Sequence, residues 1–173
     1  MKTVPIAFAF DNNLVLPACI CISSLLMNAK EETFYDIFIL YSSKINLHKE
    51  QLDELPKYFN RCRIQYRVVD NTFDQAFEIR GITAATYYRL LIPELIPEYD
   101  KVIYADVDII FRMDLSELYN TEIGENYIAA TRELGMNLME DGQKHIHSLP
   151  ALSVGNYIQA GFIIMNTKAI LKK

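Results

Sequence analysis

The sequence predicts an α/β fold with a mostly parallel central sheet flanked by helices. Short β-type runs alternate with helix-type runs along the chain, the pattern of strands joined by helical crossovers. Hydrophobic residues make up 51% and charged residues 23% of the 173 positions, a globular balance with length for one domain and its own core. Six glycines and six prolines leave no room for collagen-like or low-complexity segments.

Each element can be justified in order. Val4–Phe10 reads as a buried strand, closed by a turn at Asp11-Asn12-Asn13. Leu16–Ala29 reads as an apolar helix, with Pro17 tolerable in its first turn. Phe34–Tyr41 is the second strand. Leu47–Phe59 is amphipathic with Asn46 as its expected cap, and Arg63–Asp70 is the third strand. Thr83–Leu91 is expected to be a helix ending near Ile92, because Pro93 follows. Lys101–Asp106 is a fourth strand, and Tyr127–Thr131 and Tyr157–Asn166 are further strand candidates. Between those two, Arg132–Gly155 is polar, carries Gly135 and Gly142, and is expected to be a long loop or lid. Tyr35, Phe38, Tyr58, Phe59 and Tyr66 fall at strand or helix spacing and are expected in the core, and one of Tyr87 and Tyr88 could line a cleft.

Composition also excludes several classes of function. The formal net charge is −5 with no run of like charges, so a basic footprint for nucleic acid is missing. The longest uncharged apolar run, Leu14–Met27, is 14 residues with Pro17 inside it, too short to span a bilayer. Ala7-Phe8-Ala9 looks like a leader cleavage box, but Val4-Pro5-Ile6 is too short an apolar stretch before it. Cys19, Cys21 and Cys62 are odd in number and lack C-x-x-C spacing, so three buried thiols in a reducing compartment are expected, with neither disulfide nor zinc.

Ligands of such sheets sit at the carboxyl ends of strands. That rule points to Asp11-Asn12 after the first strand and to Asp106-Val107-Asp108 after the fourth. Two carboxylates at i and i+2 on extended backbone project to one face, about 7 Å apart between Cα atoms. Like charges so held disfavour one another's ionisation unless a cation lies between them, and hard oxygen donors suit Mg²⁺ or Mn²⁺. An acidic turn with no metal has the same spacing. Arg89, on the helix that leads into this strand, is placed to clamp a phosphate between two carboxylates and an anionic ligand. A structural pair with an acid is the plainer reading of the same arginine.

These features occur together in a specific order: the strand–D-N opening, Y-Y-R-L, the stretch LIPELIPEYDKVIYADVD and the later Q-A-G-F-I-I-M-N. In that order the chain resembles glycosyltransferase family 8, from about Ile6 to Lys168. The resemblance implies a GT-A type nucleotide-diphospho-sugar transferase fold and retaining transfer of a galactose or glucose from a UDP-hexose to a glycan or cell-surface acceptor. It implies Asp106 and Asp108 as ligands of Mn²⁺ (or Mg²⁺), and Arg89 as a contact to donor sugar or phosphates. Asp11 and Asn12 match the loop that receives the nucleoside, with Phe10 where the family often has a second acid. Val107, Ala160 and Gly161 fall in the donor-binding segments. Glu133 stands where the family usually has an aspartate touching sugar hydroxyls. Gln159-Ala160-Gly161 replaces the commoner Asn-Ala/Ser-Gly, bringing a larger amide toward the sugar. Arg89, Glu133 and Gln159 are therefore the catalytic candidates.

The family's third metal ligand is a histidine on a later segment that also carries a tryptophan. This chain has no tryptophan, and its histidines are His48, His145 and His147. The expectation is a chain shortened at its C-terminus: one nucleotide-sugar-binding domain over 1–173, in the cytoplasm or at the inner face of the cell membrane. Any peripheral membrane contact would then fall to a tail beyond Lys173. Two alternatives stand beside this reading. One is a non-catalytic nucleotide- or glycan-binding domain. The other is a D-x-D phosphatase; such enzymes usually have Thr or Val two residues after the second aspartate and a flexible turn beyond, and Ile110 followed by Phe111 argues against it.

Overall fold

The computed structural model describes residues 1–73, 75–76, 83–149 and 155–172. Six strands form one sheet: β1 (Lys2–Ala9), β2 (Thr33–Ser42), β3 (Cys62–Val69), β4 (Val102–Ala105), β5 (Ile128–Arg132) and β6 (Ile158–Met165), in spatial order β3-β2-β1-β4-β6-β5. The pairs β1–β2, β2–β3 and β1–β4 are parallel. β6 runs antiparallel to both β4 and β5. Alternating runs predict the parallel part correctly. They do not give the direction of β6, because hydrophobic period fixes which face a residue occupies and not which way its strand runs.

Period-2 alternation sorts the strand residues onto two faces. Ile6, Phe8, Ile37, Ile39, Ile103 and Ile164 belong to one buried cluster, while Ala7, Phe38, Leu40, Tyr104, Ile163 and Met165 belong to the other. Burial on both sides explains why these strands read as almost unbroken apolar runs. The first face is covered by α1 (Val15–Met27), through Ala18, Cys21, Ile22 and Leu25, and by α2 (Glu50–Tyr58), through Leu52 and Leu55. α2 begins at Glu50 without a side-chain cap, so Asn46 does not cap it. Tyr58 is 79% exposed and leaves the core to its neighbours Phe59 and Tyr66.

The other face is covered by a segment built in three pieces: α3 (Ala84–Tyr87), a 3₁₀ turn (Tyr88–Leu91) and α4 (Ile92–Leu95). The expected helix therefore does not stop at Pro93. Proline has no N–H for the carbonyl of residue 89, so the chain tightens into 3₁₀ geometry just before it and restarts with Pro93 in the first turn of α4. That tightened turn carries Arg89.

The long connection after β5 also differs from the expected loop. It holds α6 (Leu134–Leu138) and α7 (Glu140–Ser148), following the short α5 (Ser116–Tyr119) earlier in the chain. Gly142 reads as a loop signal but serves close packing. A Cβ there would fall 2.5 Å from the Met136 backbone. Residues 150–154 of the expected lid lie outside the described residues. The chain closes on α8 (Thr167–Leu171), capped by Asn166, whose side chain accepts from the Ala169 N–H at 3.0 Å.

No helix among the described residues is long and apolar enough to cross a membrane. Cys19, Cys21 and Cys62 are free thiols, Cys19 only half-buried; burial raises Cys21 to about 12 and Cys62 to about 11.

Candidate functional site

The sheet reverses its winding between β1 and β4, the position at which an open α/β sheet leaves a crevice at its carboxyl edge. A cleft of about 440 Å³ lies there, lined by Phe10, Asp11, Thr86, Arg89, Asp106 and Asp108 among others. A second hollow of about 540 Å³ shares Phe10, Asp11, Thr83 and Ala85 with it and extends toward Phe73 and Tyr88. Neither tyrosine lines the first cleft: Tyr88, buried in the core, borders the second hollow, while Tyr87 stacks on Phe73 with ring centroids 5.6 Å apart.

β4 ends at Ala105, so the two aspartates stand just beyond the strand, with Val107 and Asp108 in a bend. The bend is held from two sides. The Asp106 N–H donates to the Gly161 carbonyl of β6 at 2.7 Å. On the α1 side, Ser24 Oγ accepts from the Phe111 N–H at 2.9 Å and Asn28 Nδ2 donates to the Phe111 carbonyl at 3.1 Å. Val107 is buried in the core at 6% exposure, which leaves Asp106 half-buried and Asp108 exposed at the cleft.

Arg89 is the most engaged side chain of the site. Its Nε donates to the Thr86 carbonyl at 2.7 Å, its Nη1 to the Ala160 carbonyl, and its Nη2 to Asp106 Oδ1 at 3.2 Å. The guanidinium also lies 4.4 Å from the centre of the Tyr104 ring. Tyr104, which the sequence reading treats only as part of a strand, donates its hydroxyl to the same Asp106 Oδ1 at 2.7 Å. Burial pushes that hydroxyl well above the ordinary tyrosine range; Arg89 opposes the shift and Asp106 and Asp108 reinforce it.

The residues of β6 close the arrangement. Asp106 Oδ2 lies against Gly161, where a Cβ would fall 2.6 Å from that oxygen. Ala160 contributes its carbonyl to Arg89. Gln159 is exposed, and its Oε1 accepts from the Gly161 N–H, which folds the amide back beside Asp106.

Other candidates are placed differently. Asp11 lines the cleft, and its carboxylate accepts from the Asn13 N–H at 2.8 Å, fixing the turn after β1. Asn12 is turned to the loop before α2: its Nδ2 donates to the Asn46 carbonyl at 3.0 Å and its Oδ1 accepts from the His48 N–H at 2.9 Å. Glu133 caps α6, with Oε1 accepting from the Gly135 N–H at 3.1 Å and Oε2 from the Met136 N–H. His145 and His147 are exposed on α7, His145 edge-on to the Tyr157 ring.

Among the described residues no group of three His, Cys, Asp or Glu side chains is gathered to hold a metal ion. Asp106 and Asp108 nevertheless fit a hard divalent cation as two carboxylate donors. Both described donors to Asp106 use Oδ1, and Oδ2 lies in a recess that any side chain at position 161 would fill.

The six-stranded, mostly parallel sheet with helices on both faces is the GT-A glycosyltransferase fold of the solved structures that superpose on it. Residues 5–173 match the profile of Glycosyl transferase family 8, and the chain belongs to that family. It is 27% identical over 153 residues to General stress protein A of Bacillus subtilis (strain 168), covering 87% of this chain and 51% of that protein. To the lipopolysaccharide 1,3-galactosyltransferase of Salmonella typhimurium it is 27% identical over 165 residues, covering 93% of this chain and 48% of that protein. Among solved structures, the galactosyltransferase LgtC, crystallised with donor and acceptor sugar analogs, superposes with a TM-score of 0.82 at 25% identity, covering 98% of this chain and 60% of LgtC. The chain spans about half the length of the curated relatives it matches.

Proposed function

We propose that this domain transfers galactose or glucose from a UDP-sugar to a glycan or cell-surface acceptor, with retention at the anomeric carbon and with the help of Mn²⁺ or Mg²⁺. The observation that carries the reading is the Arg89–Asp106 pair beside Asp108, in the crevice between β1 and β4. Family membership and the likeness to LgtC support the class of reaction, and the family resemblance supplies its stereochemistry.

In this reading Asp106 and Asp108 hold the cation, which when bound supplies Lewis-acid stabilisation of the departing diphosphate. Arg89 presents a planar fork at the same place, matched to phosphate oxygens. Its contact with Tyr104 holds that fork before the nucleotide arrives. Asp11 and Phe10 bound the trough where it continues toward Tyr88, which suits the nucleoside end of the donor. Gln159 and the Ala160 carbonyl face the sugar end. Glu133 reaches sugar hydroxyls only by giving up the α6 amides. Cytoplasmic placement at the inner face of the membrane belongs to the same proposal, through the acceptor.

The test is UDP release from UDP-galactose and from UDP-glucose, with Mn²⁺ and with chelator. The expected result is Mn²⁺-dependent release from one donor that falls at least about 100-fold in Asp106→Asn, the scale of removing one transition-state electrostatic contact. Binding of UDP with no release from either donor favours the non-catalytic binding domain. Absence of UDP binding contradicts both readings.

A further inference from the structure

We infer that Tyr104 is a positioning residue, which orients the Asp106 carboxylate for a divalent cation and carries Arg89 beside it. The inference rests on the nucleotide–metal reading of the cleft and goes beyond it, to a residue of the cleft wall that supplies no ligand atom to the metal.

Asp106 stands one residue past the end of β4, with its backbone held by the Gly161 carbonyl and its side chain set by its own partners. Tyr104, two residues earlier and inside β4, lies on the face of the sheet that packs against the Arg89 segment. It is 1% exposed, and its ring is locked in the core with Ala7, Phe38 and Ile163. A buried tyrosine hydroxyl needs a partner, and here that partner is Asp106 Oδ1 at 2.7 Å. The hydroxyl and Arg89 Nη2 both hold Oδ1, which leaves Oδ2 in the Gly161 recess. The same ring lies 4.4 Å from the Arg89 guanidinium. One rigid side chain therefore sets the orientation of the anion and the place of the cation. Partners of this kind behind a metal ligand are typically worth about 10–100-fold in metal affinity.

Tyr35 supplies an internal control. It is also a fully buried strand tyrosine whose hydroxyl donates to an aspartate, Asp114, at 3.0 Å, and it also accepts from the Leu115 N–H at 2.8 Å; neither partner lines the cleft.

The experiment measures free Mn²⁺ by electron paramagnetic resonance, with UDP saturating, for the parent chain, Tyr104→Phe, Tyr35→Phe and Asp106→Asn. UDP affinity without metal and thermal unfolding are recorded for each. Phenylalanine keeps the ring against Arg89 and the core, so the Tyr104 variant loses only the hydroxyl. The expected result is an affinity for Mn²⁺ about 10–100-fold weaker in Tyr104→Phe, with metal-free UDP binding unchanged. Tyr35→Phe should unfold at lower temperature and bind Mn²⁺ like the parent. Mn²⁺ affinity within twofold of the parent in Tyr104→Phe, or equal losses in the two tyrosine variants, overturns the positioning role. Failure of the parent to bind Mn²⁺ with UDP, or unchanged binding in Asp106→Asn, overturns the site reading itself, which is a different outcome.

Discussion

Arg89 Nη2 stands 3.2 Å from Asp106 Oδ1, with the arginine side chain 11% exposed and the aspartate 37%. An arginine so sheltered keeps most of its charge interaction, and it neutralises an anion that would otherwise face another carboxylate at Asp108. The pair explains how the site folds without its ligands. It also sets two oppositely charged groups where a diphosphate and its cation would meet.

Removing the arginine should therefore weaken nucleotide binding more than it weakens the fold. Arg89→Ala is expected to lower UDP affinity by about 10–100-fold, or roughly 1.4–2.8 kcal/mol. Arg89→Lys should recover little of this, because an ammonium cannot span the Thr86 and Ala160 carbonyls and Asp106 together. Titration calorimetry with UDP checks both.

Gly161 is required for space. An added Cβ would lie 2.6 Å from Asp106 Oδ2 and 3.0 Å from the Gln159 amide. Gly161→Ala should displace the carboxylate and abolish the Mn²⁺-dependent part of UDP binding, while metal-free UDP binding changes less than about threefold, a difference under 1 kcal/mol. Comparing UDP titrations with and without Mn²⁺ separates the two effects.

Glu133 has both carboxylate oxygens on α6 amides. Glu133→Ala should cost about 1 kcal/mol, the usual value of an N-cap, lowering the unfolding temperature by roughly 2–4 °C for a chain of this size. UDP and Mn²⁺ affinities should not move. A loss of donor-sugar binding at unchanged stability would instead give Glu133 the sugar-contact role.

Much of this arrangement is legible in the sequence, and the parts that are not have physical causes. The strands, the carboxyl-edge location of the site and the Arg89–Asp106 proximity follow from period, from the sheet rule and from the short connection through Pro93. The contact of Glu133 with the α6 amides is not legible, because a carboxylate in a polar segment looks the same whether it meets a sugar or a helix N-terminus. Asn12 lines up with the nucleoside loop, yet its amide is taken up by Asn46 and His48, a tertiary contact 34 and 36 residues away that no local pattern records. Tyr104 is hidden for the opposite reason. In V-I-Y-A-D-V-D an aromatic fits a buried strand so well that nothing marks its hydroxyl as functional. The helices in 134–148 are hidden by Gly135 and Gly142, which read as loop signals although both lie inside helices and Gly142 serves tight packing against the Met136 backbone.

Acid should unfold the domain partly through Asp114. Burial works to raise its pKa, but bonds from Ser116, the Lys30 N–H and the Tyr35 hydroxyl win and hold it at about 2. A carboxylate depressed in the folded state contributes its full stability above the unfolded value near 4 and loses it as pH falls toward 2. Unfolding temperature should fall through that window. Asp114→Asn should be less stable by about 1 kcal/mol at pH 7, allowing for solvent screening, and its stability should depend less on pH between 4 and 2.

The central claim, that Asp106 and Asp108 form a nucleotide–metal site, is tested most directly by thermal unfolding with UDP, with and without Mn²⁺. The comparison is between this chain and the Asp106→Asn/Asp108→Asn double variant. Ligand at about a hundred times its dissociation constant should add roughly 2.7 kcal/mol, or about 5–10 °C. The account predicts a Mn²⁺-dependent rise in the parent chain that disappears in the double variant. An equal rise in both proteins, or none in the parent, would contradict it.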